Sequence, residues 1–213
     1  AKDVKWSLDR AVTVGGFPTF QMGAGSLTKP EQFVVVDDHT VRVDFLRKDR
    51  LTIPDLAVIV PAIYNSELVK KHATDKDPWG LEYTKQNTAG SGAYRVVSWN
   101  PGTEVVMERN DKWVGGPRPK VRRIVWRIVP EENTRLAAVL TGQSQATQYV
   151  PYSGMAQIRA NRNLRIVDNP AAFWTYFIGF KVDKVGVDDA VVRRAMVMAV
   201  DQEAISRDIN FGE

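Results

Sequence analysis

The chain contains no cysteine and only two histidines, His39 and His72. The missing thiols exclude disulfides, thiolate catalysis and a Cys-bound zinc site. They do not choose a compartment, because exported proteins often lack cysteine too. The histidines lie far apart in the chain without a nearby ligand set, so no metal site is expected. No apolar run reaches the length of a membrane span, and no signal peptide is visible. The first residues, Ala1-Lys2-Asp3-Val4, and the last, Asn210-Phe211-Gly212-Glu213, both read as the interior of a longer protein. On that reading the missing signal peptide says nothing about export.

Charge of one sign is also scarce. The 29 basic and 25 acidic residues nearly balance, for a formal charge of +4. The densest basic cluster is Arg118, Lys120, Arg122, Arg123 and Arg127. It lacks a nucleic-acid-binding motif and stacking aromatics, and Trp126 fits a strand alternation. A solvated basic edge is therefore expected, and no nucleic-acid partner. Apolar residues make up 44% of the 213, enough for a real core in one large or two small domains.

Val4, Leu8, Ala11 and Val12 recur at helical spacing, predicting a helix over 2–12 that Gly15, Gly16 and Pro18 stop. Phe33–Val36 and Thr40–Leu46 read as a hairpin across Asp37-Asp38-His39, with Val41, Val43 and Phe45 on one face. Pro54 and Pro61 frame a short apolar run. Ser66 is placed as the cap of a helix reaching His72. The polar stretch from Trp79 to Gly92 reads as a crossing between substructures. Tyr94–Trp99 and Glu104–Arg109 form a hairpin around Asn100-Pro101-Gly102-Thr103. Ile124, Trp126 and Ile128 mark another strand. A helix opens at Pro130-Glu131-Glu132, carries Leu136, Val139 and Leu140, and closes at Gly142. A second begins at Pro151 and runs to Arg159. Leu164–Val167 and Thr175–Phe180 read as strands. Asp188 and Asp189 cap a last helix with Val192, Ala195, Met196 and Ala199 on a buried face. Arg194 and Asp201, two turns apart, read as a structural ion pair. Strands mixed with short helices argue an α/β or α+β fold.

Catalysis finds little support. Gly90-Ser91-Gly92 is too short for a nucleophile elbow. Nothing cradles a phosphate, and no carboxylate pair stands out. No catalytic residue is assigned, and no cofactor is expected.

Several segments together resemble the bacterial extracytoplasmic solute-binding proteins of oligopeptide, dipeptide and nickel ABC importers. The opening Ala1-Lys2-Asp3-Val4-Lys5-Trp6-Ser7-Leu8-Asp9-Arg10 is similar to that family's first helix here, and Asp37-Asp38-His39-Thr40-Val41 to its hairpin. Gly90-Ser91-Gly92-Ala93-Tyr94, with Ser98-Trp99-Asn100-Pro101-Gly102, resembles the pattern "GTGPY…SWxPG". Glu108-Arg109-Asn110-Asp111-Lys112-Trp113 resembles "xRNxxYW". The stretch from Ile124 to Gly142, with Thr134-Arg135 and Thr141-Gly142, resembles "IxFRxIPxxxTRxxALxSGE". Asp189, Val192-Arg193-Arg194-Ala195 and Ala199-Val200-Asp201-Gln202-Glu203-Ala204-Ile205 resemble the helix that follows. Each match is weak, but their shared order along the chain is specific. Ala93 stands where the family has proline. Gly142-Gln143-Ser144-Gln145 replaces Gly-Glu-x-Asp. Gly179 or Lys181 replaces an asparagine.

The resemblance implies an α/β, mixed α+β sheet that forms part of a two-lobed periplasmic-binding-protein type II-like fold. It implies a peripheral subdomain of lobe one over 1–88, the centre of lobe one over 89–185 and the start of lobe two over 186–213. The rest of both lobes is missing from this stretch, so apolar surface is expected to be exposed. The implied function is capture of a small solute between the lobes and delivery to ABC permease subunits in the membrane, in the periplasm or another extracytoplasmic space. A peptide leads the solute classes, with opine, sugar or metal chelate as alternatives. Trp174 and Tyr176 on the last strand, with Tyr149 and Gln148 after the long helix, are the candidate ligand contacts. Aromatic core packing is the rival for the first two, and a surface position for Tyr149. Gly179, Lys181 and Gly186 are the candidate hinge. A sensor or interaction module on the same fold, or a peptide hydrolase, is the alternative function.

Overall fold

The computed structural model describes residues 1–58, 61–167 and 177–211. The chain divides into two units, Ala1–Ile128 and Val129–Glu213.

The first unit is organised by one helix, α1 (Lys2–Thr13), which buries side chains on two sides. Leu8, Ala11 and Val12 join Met22, Leu27 and Phe33 in one core cluster, with Val4, Val43 and Leu56 packed on it. Apart from Leu27, in the loop that follows α2, these partners come from α2 (Gly16–Ala24), β1 (Phe33–Val35), β2 (Val41–Val43) and α3 (Thr52–Ala57). On the other side Trp6 joins Val69 and Ala89, flanked by Tyr64, Leu68, Trp79 and Tyr83. That cluster is carried by α4 (Ser66–Lys70), α5 (Leu81–Thr84) and the loops around them.

Polar groups of α1 fix the second cluster. Asp3 accepts from the Ser66 amide at 2.8 Å and its hydroxyl at 2.6 Å, and Ser7 Oγ accepts from the Tyr64 amide at 2.9 Å. The hydroxyl bond holds the Asp3 carboxyl below the usual carboxylate range, against the opposing pull of burial. Arg10 is buried. Its Nε donates to the Trp79 carbonyl at 3.1 Å and its Nη2 to Thr84 Oγ1 at 3.0 Å. Its guanidinium lies 4.9 Å from the centre of the Tyr64 ring. Burial pushes Asp9 up, although the Lys5 ammonium 2.7 Å away pulls it back in part.

The expected stop after α1 is present: Gly15 takes φ +82°. The same residues also begin α2, which the sequence does not announce. Pro18 occupies the first turn of α2, where its missing N–H has no helical partner to lose. Pro54 does the same in α3, so the framed apolar run is partly helical. α4 is capped by Asn65, whose side chain accepts from the Leu68 amide, and not by Ser66. Ser66 sits one residue inside with its hydroxyl committed to Asp3.

A three-stranded antiparallel sheet closes the first unit, ordered β3 (Tyr94–Asn100), β4 (Glu104–Arg109), β5 (Arg123–Arg127). A bulge between Val96 and Ser98 shifts the β3–β4 register. One face places Glu104 opposite Arg127 and Glu108 opposite Arg123, with Arg95 opposite Glu108 and 3.8 Å from it. Arg123 and Arg127 of the basic cluster therefore stand across from glutamates, while Arg118 and Arg109 bond Asp111 at 2.6 and 2.9 Å. These guanidinium bonds hold the Asp111 carboxyl below its ordinary value. The other face aligns Trp99, Val105 and Trp126 in one row and Val96, Met107 and Ile124 in the next. Trp99 and Trp126 are each about half exposed.

The second unit begins with α6 (Glu132–Leu140), then a 3-10 turn (Tyr152–Gly154) running into α7 (Met155–Ala160). Leu136, Val139 and Ile158 are buried. Gly154 lies so close to the Leu136 side chain that a Cβ there would collide with it. Residues 164–167 are not a strand as expected, and neither are 177–180. α8 (Ala190–Met198) is capped by Asp189, whose carboxylate accepts from the Val191 amide at 2.7 Å. Its stripe of Val192 and Met196 is exposed and not buried as expected. Spacing fixes which residues share a face, not what covers them. Asp201 lies beyond the end of α8 and caps the short α9 (Gln202–Ala204), so it does not continue the Arg194 face. A single π turn, Ile205–Ile209, follows.

Candidate functional site

The site is built at the carboxyl end of α6. Gly142 takes φ +75°, a backbone that suits glycine, and turns the chain out of the helix. Its amide donates to the Val139 carbonyl at 3.3 Å, and the Ser144 amide donates to the Ala138 carbonyl at 2.9 Å. These bonds satisfy carbonyls the helix end would leave open. The turn forms one wall of a cavity of about 360 Å³. Asn161, Asn163 and Leu164, after α7, supply the opposite wall. The polar groups around it are neutral amides and hydroxyls: Thr141, Ser144, Gln145, Asn161 and Asn163. Such a lining orients a ligand through hydrogen bonds without demanding a particular charge. Sequence reading missed this concavity, although Gly142-Gln143-Ser144-Gln145 is where the chain departs from the expected acidic pattern.

Gln148 and Tyr149 follow directly. Both are exposed, the Tyr149 side chain strongly so at 70%. Tyr149 has φ +54°, a left-handed backbone on a residue that carries a Cβ. Its carbonyl accepts from Arg135 on α6, from Nη2 at 2.6 Å and Nε at 3.2 Å. Arg135 Nη1 also donates to the Val129 and Pro130 carbonyls at 2.7 and 2.6 Å. One guanidinium thus ties three carbonyls, two from the segment before α6 and one from the segment after it.

The candidate contacts Trp174 and Tyr176 lie outside the described residues. Of the candidate hinge, Gly186 takes φ +92° and its amide donates to Asp188 Oδ1 at 3.0 Å, whereas Gly179 takes no positive φ. Lys181 lies 3.7 Å from Asp183 in an exposed pair, the kind that adds little. Arg193 Nη1 donates to the Val187 and Asp188 carbonyls, both at 2.8 Å, and anchors the end of this segment to α8.

A second cavity, of about 420 Å³, lies in the first unit between residues 86–88 and the outer edge of β3, with Val97 and Trp99 on its wall. Thr88 Oγ1 accepts from the Val96 amide at 3.2 Å there, so part of this sheet edge is already paired. His72 stacks on Tyr83 with ring centres 3.9 Å apart, an aromatic contact. No group of three or more His, Cys, Asp or Glu side chains gathers as a metal site among the described residues. No helix among them is long and apolar enough to cross a membrane.

Known proteins resemble this chain over essentially its whole length. The glutathione-binding protein GsiB of Salmonella paratyphi A is 27% identical over 96% of the chain, which spans 38% of that protein. The ABC transporter-associated periplasmic binding protein DppA from Helicobacter pylori, solved with the peptide STSA, superposes with a TM-score of 0.83 at 20% identity. That match covers 100% of the chain and 42% of DppA. A dipeptide-binding protein from Pseudoalteromonas, solved with Met-Leu, gives a TM-score of 0.78 at 18% identity, with the same coverage of both chains, 100% and 42%. The chain therefore has the fold of part of a periplasmic binding protein and spans about two fifths of the length of such relatives. The family described as bacterial extracellular solute-binding proteins, family 5, middle region, matches residues 1–213, and the chain belongs to that family.

Proposed function

We propose that the protein is the solute-binding component of an ABC importer, capturing a peptide or peptide-like solute outside the cytoplasm and passing it unaltered to membrane permease subunits. The observation that carries this reading is the family match along all of 1–213, joined to relatives whose names give glutathione and short peptides as what they bind. The chain spans under half of those relatives, so the activity belongs to the longer protein.

On this reading solute binds between two lobes. It favours the closed arrangement by its extra affinity for that state. Tyr149 supplies an aromatic face with a hydrogen-bonding tip, Gln148 an amide, and Trp174 and Tyr176 further aromatic contact. The neutral polar lining beside the α6 terminus suits the peptide backbone, which offers amides and carbonyls whatever its side chains. The segment carrying Gly179, Lys181 and Gly186 absorbs the dihedral change on closure. The protein has no catalytic role in this scheme. Titration of the full-length protein with glutathione, with Met-Leu and with opine and sugar panels tests it. Saturable one-site binding of a peptide is expected, and failure of every small solute to bind refutes it.

A further inference from the structure

We propose that Arg135 is a positioning residue that holds Tyr149 in place for the solute. The inference rests on the reading of Tyr149 as a solute contact. Its basis is the contrast between two arginines that share one device. Arg193, near the start of α8, returns a single nitrogen to the carbonyls of Val187 and Asp188, six and five residues back. Arg135, near the start of α6, makes the same return to Val129 and Pro130. That return secures the beginning of a helix. Arg135 goes further. Its two remaining faces of donors, Nε and Nη2, close on the Tyr149 carbonyl. The forked pair is directional in a way a lysine ammonium is not.

What the fork holds is itself unusual. Tyr149 sits at φ +54° with a mostly exposed ring. A left-handed tyrosine persists only where its surroundings over-determine it, and such residues cluster at ligand clamps. Burial of the ring does not supply that restraint, whereas the Arg135 fork does. Glu132, 3.5 Å from Arg135 on the same helix, places a negative charge beside the guanidinium.

The test uses full-length protein with glutathione and Met-Leu as probes, and the variants Arg135→Lys, Tyr149→Ala and the double variant. Two quantities are measured. Backbone 15N order parameters of residues 148–150 in the ligand-free protein report the restraint directly. Affinities around the mutant cycle report its use. Arg135→Lys is expected to lower the order parameters and to weaken the better probe by about tenfold. In the Tyr149→Ala background the same substitution is expected to change affinity by less than about twofold, because the side chain it presents is gone. Unchanged order parameters in Arg135→Lys overturn the proposal. An equal loss of affinity in both backgrounds assigns Arg135 a general structural role and overturns it too. If the order parameters fall while Tyr149→Ala leaves both affinities unaltered, the restraint is real but Tyr149 is not a solute contact. That outcome refutes the reading on which the proposal rests, and with it the proposal.

Discussion

Gly80 offers the sharpest test of how the first unit is packed. It lies between Trp79, whose ring is 5.5 Å from that of Trp6, and α5, for which it is the N-cap. Its φ is +58°, and a Cβ built there would stand 2.5 Å from Val69 Cγ1 and 3.2 Å from the Val69 carbonyl oxygen. Val69 is fully buried, so it has little room to yield. In Gly80→Ala the left-handed backbone costs about 1–2 kcal/mol and the overpacking against Val69 about 1–3 kcal/mol. The total of about 2–5 kcal/mol lowers a urea midpoint by about 1–2.5 M at a slope near 2 kcal/mol per molar. Tryptophan fluorescence reads the transition beside the substitution. A double-mutant cycle with Val69→Ala separates the two causes. Removing Cγ1 relieves the steric share, so the costs of the pair are expected to fall short of additivity by about 1–3 kcal/mol. A stability for Gly80→Ala within about 0.5 kcal/mol of the parent, or strict additivity with Val69→Ala, refutes the packing described.

Other consequences follow from the same geometry. Arg10→Met keeps the bulk but removes the donors to Trp79 and Thr84; it is expected to cost about 2–4 kcal/mol in urea unfolding. Asp3 is depressed in the folded protein, so its stabilising effect is complete above its unfolded value and fades as pH falls through the folded value. Asp3→Asn is therefore expected to be less stable than the parent at neutral pH, with the two urea midpoints converging as the pH falls through the lowered folded value. A gap that persists there shows that the loss is not one of charge. Tyr149→Ala and Gln148→Ala are expected to weaken peptide binding, by about threefold to thirtyfold for the tyrosine, with urea stability unchanged because both side chains are exposed.

Much of the first unit was legible because its signals are local. The spacing of Val4, Leu8, Ala11 and Val12 marks α1, and Asn100-Pro101-Gly102-Thr103 marks the turn between β3 and β4. The errors share a cause in residues that serve two neighbours. Gly15, Gly16 and Pro18 end one helix and begin another, and Pro54 lies in the first turn of a helix although it reads as the frame of a short apolar run. Ser66 looks like a cap, but Asp3, far away in sequence, claims its hydroxyl and leaves the cap to Asn65. The stripe on α8 was read correctly as a stripe and wrongly as buried. Tyr149 and Gln148 are candidates through the family resemblance. The fork from Arg135 and the left-handed backbone of Tyr149 were not legible. Both depend on where a loop returns to its helix, and no residue type announces that.

The central claim is that this chain forms part of a protein that holds a peptide and releases it unchanged. Calorimetric titration of the full-length protein with glutathione and with Met-Leu, followed by mass spectrometry of the solute recovered from the complex, tests it most directly. The account predicts saturable one-to-one binding of at least one of them and recovery of the intact molecule. Recovery of cleaved products, or no binding by any peptide offered, contradicts it.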